Sequence, residues 1–256
     1  MKYLAWLASL LRNLMVPLLV VVVWLVVVGT GHVSKVILPA PTEVLKALAS
    51  LVTGDGIMAA IGWTLLRTVL GFLLGVVVGV LLGTAMGSWR AVHNMTQFSV
   101  DFLRSIPATA IFPLFMMFLG LGLKSMVALI AFPCCWLVTI NTMYGVKNSS
   151  QVRREMAQVF RLSKGKRFFR VTLLDAMPSI AASLRLSVAI CLHMAIIAEM
   201  FMGSQLGIGR RIYDAHMVLN VSEMYAVIIL AGVLGYVLNQ AFVILEKRIT
   251  FWGGRA

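Results

Sequence analysis

Six ionisable side chains, Arg67, Asp101, Arg104, Arg185, His193 and Glu199, fall within long apolar runs of this 256-residue chain. Charge is costly in such surroundings, so groups placed there are candidates for pairing, gating or guiding an ion. Bond-making chemistry has little support. There is no His-Glu-x-x-His, no Gly-x-Ser-x-Gly elbow and no P-loop, so hydrolysis and ATP binding have no recognisable seat in the chain. His193 lacks a second histidine at ligand spacing; no metal site is expected, and the residue reads as a satisfied core histidine. Cys134, Cys135 and Cys191 lie in apolar runs and read as buried, reduced thiols. Asp101 and Arg104, three apart on one helix, form a self-neutralising pair or serve a path. Arg67 and Arg185 stand near the ends of their runs, where snorkelling to the interface is the plain alternative to a path role. Glu199 reads as structural or gating, with packing against the loop that carries Arg210 and Arg211 as its plain role. In Arg104-Ser-Ile-Pro107 the proline frees a carbonyl and lets the helix kink, which beside a pore makes a gate.

The elements that must position these groups follow from composition. With 61% hydrophobic and 12% charged residues, the chain cannot hide its apolar surface in one soluble core. Only helices or closed barrels satisfy the backbone in lipid, and unbroken apolar stretches indicate helices. The expected fold is an all-α polytopic membrane protein, one domain over 1–256, with six spans near 14–31, 60–87, 97–120, 125–146, 177–202 and 223–245. The first run reads as a retained span rather than a signal peptide, because no convincing small-x-small site follows it. Of the 22 Lys and Arg, fourteen fall in the N-terminal segment, the Arg90 turn, the 147–170 loop and the C-terminal tail. The opposite side holds Lys35, Lys46, Lys124, Arg210 and Arg211, so both termini are expected in the cytoplasm. The net charge of +13 then marks the cytoplasmic face and anionic lipid rather than nucleic acid.

On the outer side, Pro39-Ala-Pro41 precedes a short amphipathic helix over 42–53, capped by Thr42, with Val44, Leu45, Leu48 and Leu51 on its apolar face. Gly71, Gly75, Gly79, Gly83 and Gly87 repeat every four residues along the second span. They permit close helix approach, either as packing within one subunit or as a sliding seam. Between the fourth and fifth spans, Met156, Val159, Phe160, Phe168 and Phe169 alternate with Arg153, Arg154, Arg161, Lys164, Lys166, Arg167 and Arg170. Composition alone leaves a partner groove and an anionic lipid surface equally open.

The order of residues separates these alternatives. Glu155-Met-Ala and the closing Val171-Thr-Leu with Ala176-Met-Pro178 resemble the EAA loop of bacterial ABC importer permeases, over residues 147–176. The family's glycine falls on Arg161 and its first closing proline on Leu174, so the turn between the two short helices is either non-glycine or displaced toward Gly165. Leu38-Pro-Ala-Pro-Thr-Glu-Val, Thr64-Leu-Leu-Arg67-Thr-Val-Leu-Gly-Phe, Leu103-Arg-Ser-Ile-Pro107, Asn141-Thr-Met-Tyr-Gly-Val, Leu184-Arg185, Ala198-Glu199-Met and Leu206-Gly-Ile-Gly resemble, in order, the branch for nitrate, sulfonate, taurine and related anions.

That resemblance implies a type I importer permease, homodimeric, in the bacterial inner membrane. Each copy would have one ATP-binding subunit docked under its loop and be served by a soluble substrate-binding protein. ATP and Mg would be bound by the partner ATPase, and this chain would carry no cofactor and no catalytic residue. The loop residues implied to couple are Glu155, Met156, Ala157, Val159, Phe160, Arg161, Leu162 and Ser163. Arg67, Arg104, Pro107, Glu199 and Met200 are expected to line or gate the path. The alternative is an ion-coupled secondary transporter acting without an ATPase.

Overall fold

A computed structural model describes residues 2–250 apart from 35 and 55, with side chains described from Met15 onward. Of the charges that orient the chain, Lys35 and Arg255 and the side chains of Lys2 and Arg12 lie outside the described residues. The order of elements is α1 (Lys2–Gly29), α2 (Pro41–Thr53), α3 (Ile57–Ser88), α4 (Arg90–Ser105), a 3-10 turn (Ala108–Ala110), α5 (Phe112–Leu119), α6 (Leu123–Lys147), α7 (Gln151–Val159), α8 (Lys164–Arg167), a π turn (Phe168–Thr172), α9 (Leu173–Phe201), α10 (Ile208–Met217) and α11 (Val221–Ile249). Among the described residues, Ile57–Ser88, Leu123–Lys147, Lys164–Phe201 and Val221–Ile249 are long and apolar enough to cross a bilayer; Met15–Gly29 is a shorter apolar helix.

The third expected span, 97–120, is not one helix. Pro107 lacks an N–H and biases the residue before it away from helix, and Ile106 takes an extended ψ of 125°. The segment therefore divides into α4, the 3-10 turn and the eight-residue α5, which has Pro113 in its first turn. α4 is the amphipathic part, burying Val100 while Met95, Phe98 and Phe102 stay exposed. α2 is amphipathic as expected, with Val44 and Leu51 buried and Leu45 exposed. Its start differs: Ala40, not Thr42, is the N-cap, and Glu43 reaches back to the Ala40 N–H at 3.3 Å.

The chain divides into two compact units. One comprises Met1–Met58 and Arg211–Ala231. In it the Trp24 indole donates to the Pro39 carbonyl at 3.1 Å and its ring meets Tyr225 at 5.9 Å, tying α1 to the chain after it and to α11. The other comprises Ala59–Arg210 and Gly232–Ala256 and contains the residues expected to do the work. Its centre is the packing of α6 on α9, where Met126, Leu129, Ile130, Cys134 and Val138 meet Cys191, Met194, Ala195 and Ala198. The three cysteines are free and buried.

The glycine stripe of α3 lies against α6. A Cβ on Gly71, Gly75, Gly79, Gly83 or Gly87 would sit 2.4 to 2.8 Å from Ile130, Cys134, Cys135, Thr139 or Val146. Contact that close lets the backbones approach as in small-xxx-small seams, so the stripe packs helices of one subunit.

Candidate functional site

α9 has a carboxylate near each end, and each one fixes a loop. At the C-terminal end Glu199 is fully buried. Its Oε1 is 2.5 Å from Arg67 Nη1 of α3, and its Oε2 accepts from the Thr64 hydroxyl at 2.8 Å and from the Gly209 N–H at 2.9 Å. Arg67 Nη1 also donates to the Leu206 carbonyl at 2.6 Å, and the Ile208 N–H donates to Thr64 Oγ1 at 2.9 Å. Glu199 thus takes an N–H from the first turn of α10, where the exposed amides and the helix dipole favour an anion.

The closing loop needs its glycines. Gly207 has φ of +144°, and a Cβ there would strike the Glu199 carboxyl; a Cβ on Gly209 would lie 2.1 Å from the Ile196 carbonyl. The Arg67 guanidinium lies 5.4 Å from the Trp63 ring centre, close enough for a cation–π contact. The Arg67–Glu199 pair ties α3, α9 and the loop before α10 together through Arg67 Nη1, while the buried Arg67 Nε has no hydrogen-bond partner among the described residues.

These contacts revise several sequence expectations. Arg67 does not snorkel but is buried against Glu199. Glu199 is held by Arg67, Thr64 and the Gly209 amide. Met200 adjoins it, half-buried. Asp101 and Arg104 pair at 2.9 Å with both side chains about half exposed, as the self-neutralising reading required. Arg185 pairs with Glu246 of α11 at 3.3 Å. His193 is exposed on α9 and is not a core residue. Arg104 and Pro107 line a cavity of about 400 Å³ with Ser105, Pro133, Trp136 and Ile140. Arg67 and Glu199 therefore form one cluster, and Arg104 with Pro107 marks a separate feature at the break after α4.

At the other end of α9 stands the basic segment. Ser150 caps α7, its hydroxyl accepting from the Arg153 N–H. Arg161 has φ of +51°. Its N–H donates to the Gln158 carbonyl at 2.8 Å, and the Leu162 N–H donates to the Ala157 carbonyl at 3.0 Å. This is the paired hydrogen-bond pattern that ends a helix on a left-handed residue, a position that favours glycine. The turn is therefore non-glycine and falls at Arg161 itself. Ser163 then caps α8, and the helix continues through the π turn into α9, with Leu174 a helical residue where a proline was looked for.

Ala157 is buried under α7, whereas Glu155, Met156, Val159, Phe160, Arg161 and Ser163 are exposed and Leu162 is half-buried. Val159 and Phe160 are 81% and 76% exposed, so the loop shows solvent an apolar tip ringed with cations. Asp175 was missed in the sequence reading. Its carboxylate accepts from the Ser150 N–H at 3.1 Å and lies 2.8 Å from Arg153 Nε, fixing α7 to the start of α9. The available signal was its isolation as the one acid between Glu155 and Glu199.

The described residues thus hold a buried ion-pair cluster, a helix broken at Pro107 and a capped helix–turn–helix with an apolar tip. The family described as the binding-protein-dependent transport system inner membrane component matches residues 71–251. The chain belongs to this family. It is 29% identical over 242 residues to SsuC of Bacillus subtilis, named as an aliphatic sulfonates transport permease, covering 94% of this chain and 87% of that one. It is 28% identical over 221 residues to the nitrate import permease NrtB of a Synechocystis strain, covering 83% and 80%. Among solved structures, a chain of the inward-facing MetNI methionine ABC transporter superposes with a TM-score of 0.67 at 15% identity, covering 75% of this chain and 95% of that one. The fold is thus that of a type I importer permease, and the protein is an inner-membrane transport component.

Proposed function

We propose that the chain imports a small anion, such as a sulfonate, taurine, nitrate or bicarbonate, as a homodimeric permease with six spans per copy and both termini in the cytoplasm. The whole of 1–256 acts as one transmembrane domain, with 147–176 as the coupling loop within it. One ATPase subunit docks under each loop, held by Met156, Val159, Phe160 and their neighbours from Glu155 to Ser163. That partner binds ATP and Mg, and this chain performs no catalysis. A soluble binding protein delivers the anion to the outer face, at α2 and the 203–222 segment.

The observation that carries this reading is the solvent-exposed apolar tip of α7 at the position of the family's coupling loop, rigidly joined to α9 through Asp175. Closure of the ATPases pushes α7, and α9 transmits the push along its length. The Arg67–Glu199 cluster holds the outer end of the moving helix, and Arg104, Pro107 and Met200 lie along the path or gate. Purification through a tag on this chain is expected to bring an ATPase subunit in equal amount. In proteoliposomes with a binding protein, the complex should import labelled taurine, methanesulfonate or nitrate only with ATP. Gradient-driven uptake by the lone chain would instead establish a secondary transporter.

A further inference from the structure

The cavity at Arg104 and Pro107 continues into a groove between α4 and α6, with the Asp101–Arg104 pair in its wall. It has two adjoining cavities, of about 230 Å³ and about 400 Å³, which share Arg104 and Ile140 in their walls. The first is the more polar of the two, with His93, Gln97, Asp101, Arg104, Tyr144 and Lys147 in its wall beside Met86, Val100, Ile140 and Met143. The second is mainly apolar, lined by Pro107, Phe132, Pro133, Trp136 and Leu137 beyond Arg104.

The polarity is ordered along the helices. Lys147 is the last residue of α6 and His93 lies in the first turn of α4, so the polar cavity opens at the helix ends. Trp136, eleven residues before Lys147, lies about 16 Å farther in at 1.5 Å per residue. One groove thus offers cations and hydrogen-bond donors at the membrane surface and an apolar channel toward mid-bilayer. Two buried polar atoms in its wall residues, His93 Nδ1 and Trp136 Nε1, have no hydrogen-bond partner among the described residues. Asp101 engages Arg104 through Nε at 2.9 Å, and both residues stand in the wall of the first cavity.

We propose that this groove binds an anionic phospholipid, with its phosphate near Lys147, Tyr144 and His93 and one acyl chain running past Trp136 to the break at Pro107. A small free anion would suit the polar cavity but leave the apolar one unfilled; a zwitterionic lipid would fill both but gain less from Lys147. The site rests on the proposed orientation, which places Lys147 at the cytoplasmic leaflet. Occupied, it props the inner end of the α4 break, so the opening of that break depends on anionic lipid.

The test uses the full-length chain in vesicles of phosphatidylcholine doped with phosphatidylglycerol, either lipid carrying brominated acyl chains that quench tryptophan. Brominated phosphatidylglycerol should quench more than brominated phosphatidylcholine at equal mole fraction, and Trp136→Phe should abolish the difference. Lys147→Gln should weaken the phosphatidylglycerol preference about fivefold, the loss of one charge worth about 1 kcal/mol, whereas Tyr144→Phe should weaken binding of both lipids alike. Equal quenching by both lipids would overturn the proposal, as would reversal of the effect by millimolar inorganic phosphate, which would mark a free-anion site. No transport or ATP hydrolysis enters the measurement. A negative result leaves the permease reading standing, and a failure of ATPase co-purification leaves the lipid result standing.

Discussion

The two ends of α9 use the same chemical device to opposite ends. Glu199 and Asp175 lie 24 residues apart on the helix and about 36 Å along its axis, and each carboxylate accepts a backbone N–H from a neighbouring helix start while pairing with an arginine. Around Glu199 everything is closed: the acid is fully buried, Arg67 nearly so, and the loop glycines admit no side chain. Around Asp175 the partner Arg153 is mostly exposed, and the helix it positions turns Val159 and Phe160 to solvent. A sealed cluster resists change from within. The open one presents the apolar tip that the proposed ATPase docking would cover. The same helix can therefore be anchored at one end and pushed at the other.

The largest effects should come from breaking the sealed end. Arg67→Ala leaves Glu199 buried without its cation and should destabilise the chain by about 3–5 kcal/mol, read as thermal unfolding in detergent. Replacing both groups by Met should restore part of that loss, since no charge stays buried unpaired, while the Gly209 N–H and the Leu206 carbonyl lose their partners. A double variant no better than Arg67→Ala would show that the pair is not acting as a unit. At the open end the expected pattern is reversed. Phe160→Glu should leave unfolding unchanged, because its ring touches little of its own chain, yet weaken ATPase docking about thirtyfold, the effect of an interface anchor of roughly 2 kcal/mol. Titration of the ATPase subunit against the tagged permease reads both numbers.

Between these lies Asp175→Ala. Arg153 is mostly exposed while the Asp175 side chain is 12% exposed, so about 1 kcal/mol is at stake, a fall of about 2–4 °C in unfolding temperature. Its effect on coupling should exceed its effect on stability, because α7 would still dock but no longer move with α9. Anions imported per ATP hydrolysed is the quantity to compare, with ATPase co-purification unchanged.

How much of this was legible depended on whether a property was local. Apolar run length identified the helices of four spans, and the ordered motifs identified the permease family, because both are properties of contiguous residues. The break at Pro107 was readable as a kink, but its division of the segment into α4 and α5 was not: hydropathy averages over the polar α4 and the short apolar α5 that follows. Glu199 read as structural or gating, with its partner sought in the nearby Arg210 and Arg211. The cation it takes is 132 residues away on α3, and no spacing rule reaches that far. His193 failed for a related reason. Which face of α9 is covered is decided by α6, and the sequence of α9 alone does not record it.

The smallest effect is the most discriminating about the turn. Arg161 holds a left-handed conformation that an L side chain takes at about 1–2 kcal/mol, while glycine there gains freedom in the unfolded chain worth about 0.5–1 kcal/mol. Arg161→Gly should therefore stabilise the loop by only about 0.5 kcal/mol, seen as slower amide exchange over residues 157–163. Arg161→Ala separates conformation from charge, because alanine removes the guanidinium but keeps the Cβ that the left-handed region penalises. It should bring no slowing of exchange; if it matched Arg161→Gly, repulsion among the loop's cations would be the cause. Gly165→Ala completes the comparison, since a Cβ there meets open space and its backbone is helical. Its replacement should be tolerated at the tip where Arg161 is the hinge, and a loss of ATPase docking from it would move the turn back to the glycine.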